Sequence, residues 1–135
     1  MGRVTIRSAV VEQITRHANA DLPYECCGLL LGTSSHIDRA VPARNAAASR
    51  TRFLIDPGDH FAAIREARSS AQEVVGVYHS HPSSPAVPSA TDVAEANDAR
   101  LIHLIVSLAP EPQPVIRAFR FTGGNFQPLE LVSVG

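Results

Sequence analysis

The sequence predicts a mixed α/β domain of the α+β kind, a curved mixed β-sheet flanked by about three helices in a single domain over residues 1–135. Three observations carry this. The chain has 135 residues, 44% hydrophobic and 19% charged, which suits one domain with its own core. Short apolar runs alternate with three helical segments, an order that lays helices on sheet faces and makes some strand pairs parallel. The last two apolar runs flank TGGN, a turn that reads as a closing pair of strands.

Taken in order, Ser8 to about Ala20 forms the first helix, with Ser8 as its N-cap and Val11, Ile14 and Ala18 on one face. Asp21-Leu22-Pro23 ends it, because proline disfavours helix in the residue before it. CGLLLG at 27–32 is a buried strand, a continuous apolar run bounded by glycine, and a weaker strand signal covers 36–43. TRFLI at 51–55 reads as a strand leading into Asp56-Pro57, a strong helix start. That second helix covers 57–71, with Asp59 near its positive end and Phe61, Ile64 and Ala67 as its apolar face. Residues 73–79 form a strand, PSSPAVPS at 82–89 a proline-stiffened loop, Ser89 to about Arg100 a helix, and LIHLIVSL at 101–108 a buried strand. Strands at 115–121 and 126–132 complete the list, and no internal repeat is present.

Composition excludes several classes of function. Formal net charge is -1 and the basic residues are scattered arginines, so neither nucleic acid nor an anionic membrane is an expected partner. No stretch approaches the roughly 18–20 apolar residues of a membrane span, and the N-terminus lacks a secretory pattern. Arg3 and Ile6 depart from the myristoylation pattern. The two cysteines, Cys26 and Cys27, are adjacent, which is poor geometry for a bridge. The expected location is a reducing cytoplasm. Oligomeric state is left open, a homodimer included.

The stretch YHSHPSSPAVPSATD, residues 78–92, carries the chemistry. Residues i and i+2 of a strand share a face, so His79 and His81 project together. They read either as a chelating pair or as two solvated histidines at a strand end. Ser89 and Asp92 stand at capping-box spacing before a helix. That reading does not exclude chemistry, since a helix start also brings them to one side. If the loop folds back, Asp92 completes with the two histidines a three-ligand set of the kind a hydrolytic zinc site uses, whereas magnesium or calcium sites use oxygen.

The pattern His79-x-His81, seven residues, Ser89, two residues, Asp92 resembles the JAMM motif of MPN-domain metallopeptidases, with Glu25 of PYECCGLLLG matching the family's upstream glutamate. Asn45 and RFLIDP also resemble that family's course. The resemblance implies an MPN-type domain of cytidine-deaminase-like architecture. It implies one zinc per chain on His79, His81 and Asp92, with Glu25 as general base and Ser89 as oxyanion donor. The reaction implied is hydrolysis of an amide or isopeptide bond by water. Cys26 and Cys27 read as packing rather than as a thiol nucleophile. His17, His36 and His60 read as exposed or partly exposed, and His103 as a sheet histidine.

Larger members that remove ubiquitin carry insertions where this chain is short, at 44–56 and 108–115. The compact form is similar to bacterial members that act on a ubiquitin-like sulfur-carrier protein. Those release an amino acid such as cysteine from the carrier's Gly-Gly C-terminus, a step of cysteine biosynthesis. A deubiquitinase-like isopeptidase, a short-peptide peptidase and a non-catalytic MPN scaffold are the alternatives. A scaffold is expected to have lost at least one of Glu25, His79, His81, Ser89 or Asp92, and all five are present.

Overall fold

A computed structural model describes residues 2–95, 100–109 and 115–135. Along the chain run β1 (Arg3–Arg7), α1 (Ser8–Ala20), β2 (Cys27–Thr33), β3 (His36–Ala43), α2 (Pro57–Ser69), β4 (Glu73–His81), α3 (Ala90–Glu95), β5 (Ile102–Ser107), β6 (Val115–Thr122) and β7 (Asn125–Val134). The strands are ordered β1-β3-β2-β4-β5-β6-β7 and close into a barrel, with β1 pairing back onto β7. The sheet is mixed: β4–β5, β1–β3 and β1–β7 are parallel, and the other pairs are antiparallel.

The centre is β2, buried on both faces, which is why its sequence is continuously apolar rather than alternating. Leu30 faces the cluster formed with Ile14, Ala18 and Tyr78, while Leu29 and Leu31 face Ala63, Ala67 and Val77. The first cluster belongs to α1. This helix touches β1, β3, β5 and β7, strands from well-separated parts of the ring, so it lies inside the curl. The second cluster belongs to α2, packed on the opposite face of β2 and β4.

Several sequence expectations change. β1 was not foreseen, being five residues that run into α1 with no turn residue between them. Its Val4 and Ile6 are buried, and its parallel pairing with β3 and β7 turns a curved sheet into a closed one. Ser8 is not the N-cap: Arg7 takes that position in an extended conformation without a side-chain bond. The Ser8 hydroxyl instead reaches Ser133 at 2.8 Å. Val10, rather than Val11, joins Ile14 and Ala18 in the buried face of α1.

Residues 51–55 form no strand. Only Ile55 makes an isolated bridge, to Asn45, whose side chain takes over the hydrogen bonds that a neighbouring strand would supply. Asp56 caps α2 by accepting from Asp59 N–H at 3.1 Å, as the sequence suggests. The helix buries only Ala63 and Ala67, and ends at Ser69. Phe61, expected on its apolar face, is 65% exposed. β4 runs on through His81. The third helix is described from Ala90 to Glu95, and the rest of its expected course, 96–99, lies outside the described residues.

Glycines let strands approach, Gly28 and Gly76 among them. A Cβ on Gly28 would sit 2.3 Å from the Tyr78 ring, and one on Gly76 would sit 2.3 Å from the Ile102 carbonyl oxygen. The second neighbour is backbone of the paired strand β5 and cannot swing away. Gly76→Ala is therefore expected to destabilise the fold by about 1–3 kcal/mol, the usual cost of overpacking. Urea denaturation of the chelator-treated protein measures it, and an unchanged midpoint would refute the close approach.

Candidate metal centre

The site is built on the end of β4. Val77, His79 and His81 alternate with Tyr78 and Ser80, so both imidazoles leave on the face that Val77 shares with α2. Ser80 points the other way, and its hydroxyl accepts Cys26 N–H at 2.8 Å. β4 is paired on both sides here, Cys27 with His79 on one flank and Ile105 and Ser107 with His79 and His81 on the other. The His81 carbonyl accepts Leu108 N–H at 3.1 Å. Both histidines therefore stand on backbone that cannot shift without breaking a ladder.

The structure brings His79, His81 and Asp92 together. His79 Nε2 lies 3.2 Å from His81 Nε2 and 3.3 Å from Asp92 Oδ2, and His81 Nε2 lies 3.2 Å from the same oxygen. All three residues are buried. Ligands about 2.05 Å from a tetrahedral zinc lie about 3.3 Å from one another, so the triangle has the spacing such an ion requires. His81 Nδ1 donates to the Pro85 carbonyl at 2.8 Å, which leaves Nε2 of the neutral ring as a lone pair aimed at the triangle. A lone pair and a carboxylate oxygen at that distance repel unless a proton or a metal cation lies between them. The donor set, two imidazole nitrogens and one carboxylate oxygen, suits zinc.

The spacer loop contributes by placing Pro85. Ser107 Oγ donates to the Ser84 carbonyl at 2.6 Å, and Val87 N–H bonds the Pro85 carbonyl at 2.8 Å. Ser89 and Asp92 form the capping box. Asp92 N–H donates to Ser89 Oγ at 3.0 Å and Ser89 N–H to Asp92 Oδ2 at 2.9 Å. That same Oδ2 faces the histidines, so capping and site geometry coincide in one carboxylate.

Charge states follow from burial and neighbours. Burial opposes ionisation of Asp92, but hydrogen bonds from His79, His81 and Ser89 N–H outweigh it and hold the carboxyl well below its usual range. Burial pushes His79 down, so its neutral, ligating form is favoured. For His81 burial is outweighed by Asp92 and the Pro85 carbonyl, and its pKa is raised. Metal binding requires both rings in their neutral form, so affinity falls as pH falls.

Glu25 comes from the segment before β2. Continuing the Cys27–His79 register by two residues sets Glu25 opposite His81, on the same face. It is buried, and its Oε1 has no hydrogen-bond partner among the described residues. Burial, helped by Asp92 and opposed by His81, pushes its carboxyl up to about 7. The backbone is held at both ends: Glu25 N–H donates to Ser49 O at 2.9 Å, and its carbonyl accepts Asn45 Nδ2 at 3.0 Å. Asn45 also donates to Arg52 O and accepts from Ala47 and Leu54 N–H, which uses its whole amide.

Sequence reasoning missed Phe53, whose ring stacks on His79 with centroids 4.3 Å apart. Its position in RFLIDP was visible, but a strand there would have aimed it differently. Burial pushes the Cys26 thiol up to about 11 and the Cys27 thiol up to about 12, against thiolate formation. His17 bonds the Tyr78 hydroxyl at 2.8 Å, His36 bonds Thr5, and His103 packs edge-on against Phe126. None of these joins the site.

Residues 7–122 match the family described as prokaryotic homologs of the JAB domain. The chain is 32% identical over 123 residues to the CysO-cysteine peptidase of Mycobacterium tuberculosis, covering 90% of this chain and 84% of that protein. It is 34% identical over 128 residues to a desampylase of Haloferax volcanii, covering 93% and 89%. The solution structure of a Desulfitobacterium hafniense protein superposes with a TM-score of 0.90 at 32% identity, covering 97% of this chain and 92% of that one.

The raised Glu25 pKa has a stability consequence. A carboxyl easier to protonate when folded costs no stability below its ordinary value near 4.5, and an increasing amount as pH rises from there to about 7. Metal-free Glu25→Gln is therefore expected to be more stable than the unaltered protein at pH 8, by about 1–3 kcal/mol, and equally stable near pH 4. Melting curves in chelator at both pH values test this, and a Gln variant less stable at pH 8 would contradict the assigned burial.

Proposed function

The chain belongs to the family of prokaryotic homologs of the JAB domain and is a JAMM-type peptidase, a hydrolase; on that premise we propose that it is a single-zinc enzyme cleaving an amide bond after the C-terminal Gly-Gly of a small ubiquitin-like sulfur-carrier protein. The observation that carries the metal reading is the triangle of donor atoms 3.2–3.3 Å apart on His79, His81 and Asp92. Zinc, when bound there, supplies Lewis-acid activation of water and of the scissile carbonyl. Glu25 takes the proton of the attacking water and delivers it to the leaving amine. Its buried Oε1, unpartnered among the described residues, suits both halves of that transfer. Ser89 Oγ already accepts Asp92 N–H, which leaves its own proton to donate to the developing oxyanion.

Two relatives, a CysO-cysteine peptidase and a desampylase, support a small-protein conjugate as substrate. A Gly-Gly tail is thin and extended, and it passes where a Cβ would not. The carrier body and tail supply the specificity, and the leaving group is a single amino acid such as cysteine. A reducing cytoplasm suits the two buried, unbridged thiols. Among the described residues no helix is long and apolar enough to cross a membrane.

Purified protein is expected to contain about one zinc per chain, and His79→Ala to lose most of it. Stoichiometric zinc in a His79→Ala/His81→Ala double variant, measured by elemental analysis, would place the metal elsewhere.

Incubation of a carrier–cysteine adduct with the zinc-loaded protein is expected to release cysteine by mass spectrometry, while ubiquitin dimers are cut slowly. Glu25→Gln should keep its zinc and lose about 10²–10⁴ in turnover. Fast cleavage of ubiquitin dimers with the adduct intact would overturn the substrate and leave the metal chemistry standing.

A further inference from the structure

Metal-binding histidines usually donate their second ring N–H to a carbonyl or carboxylate, which sets tautomer and tilt. His81 does so through Pro85. His79 does not: its Nδ1 is buried and has no hydrogen-bond partner among the described residues. It has an aromatic neighbour instead. Phe53 lies nearly parallel to the imidazole, with 16° between the planes and 4.3 Å between centroids.

We infer that Phe53 is a positioning residue for the metal, its ring holding the His79 imidazole in the plane that aims Nε2 at the centre, as a hydrogen bond does for His81. The inference rests on the reading of His79 as a zinc ligand. Phe53 belongs to no strand, yet both its neighbours are clamped by one side chain. Asn45 Nδ2 donates to Arg52 O at 3.1 Å and Asn45 Oδ1 accepts Leu54 N–H at 3.0 Å. Through its bond to the Glu25 carbonyl the same amide ties the stack to the segment carrying the buried carboxyl. A stacked pair contributes through ring geometry as well as area, so an aliphatic side chain of similar bulk fills the space without fixing the tilt.

The test uses full-length protein with Phe53→Leu, Phe53→Met and Phe53→Tyr. Zinc affinity is measured by competition with a chromogenic chelator, and ligand geometry by the visible absorption of the cobalt-substituted protein. Leu and Met are expected to bind zinc about three- to tenfold more weakly, the size of one aromatic pair, and to shift the cobalt bands. Tyr is expected to stay within about twofold of the unaltered protein, with unshifted bands. Circular dichroism identifies variants that fold, and either aliphatic variant suffices. Unchanged affinity and bands in a folded Leu or Met variant overturn the inference, as does a Tyr variant that loses as much. Failure of the unaltered protein to bind zinc removes the metal reading and this inference with it, whereas zinc binding indifferent to residue 53 removes this inference alone.

Discussion

Three electron-rich atoms are held within 3.3 Å of one another in a buried place. Left to themselves, an imidazole lone pair and a carboxylate oxygen would separate or recruit water. Much of the surrounding structure reads as the means of preventing that separation. β4 is gripped by β2 and β5, the loop after it is pinned through Ser84 and Pro85, and the start of α3 is closed by its capping box. Each element gives up freedom to keep one donor where it is. On the proposed metal reading, the compensating force is the attraction of all three for a cation.

The economy of the arrangement lies in shared groups. Asp92 Oδ2 accepts the capping hydrogen bond of Ser89 and faces both histidines. Asn45 fixes the Glu25 carbonyl and the residues on both sides of Phe53. The Ser80 hydroxyl, on the opposite face from the histidines, locks the start of β2 to the end of β4 at Cys26 N–H. Disturbing any of these three side chains therefore reaches more than one part of the site.

Much of this was legible in the sequence, and the reason is local. The H-x-H pair needs only the two-residue strand period, and Ser89 and Asp92 need only the geometry of a helix start, so spacing alone sets them on common sides. The Asp56-Pro57 start of α2 is equally local. What escaped depends on partners distant in sequence. RVTIR becomes a strand because β3 and β7 lie on either side of it, which no window around residue 5 can show. TRFLI has strand-like composition, but the Asn45 amide satisfies its backbone and leaves it irregular. Phe61 follows helical periodicity, yet α2 meets β2 and β4 through its alanines and leaves that ring in solvent. Glu25 entered the sequence reading only through the family resemblance, because its convergence on His81 rests on the antiparallel register of β2 and β4.

The closure of the ring constrains the order of events during folding. Arg3 to Arg7 pair with Glu130 to Val134, so the earliest strand finds its second partner only when the last is available. Contacts of such long sequence separation form late, because loop-closure entropy must be overcome first. Helix α1 lies within the curl that this seam shuts. β2, β3 and β4, nearer to one another in sequence, close shorter loops when they pair. The seam between the first and last strands thus encloses the helix that lies inside the ring.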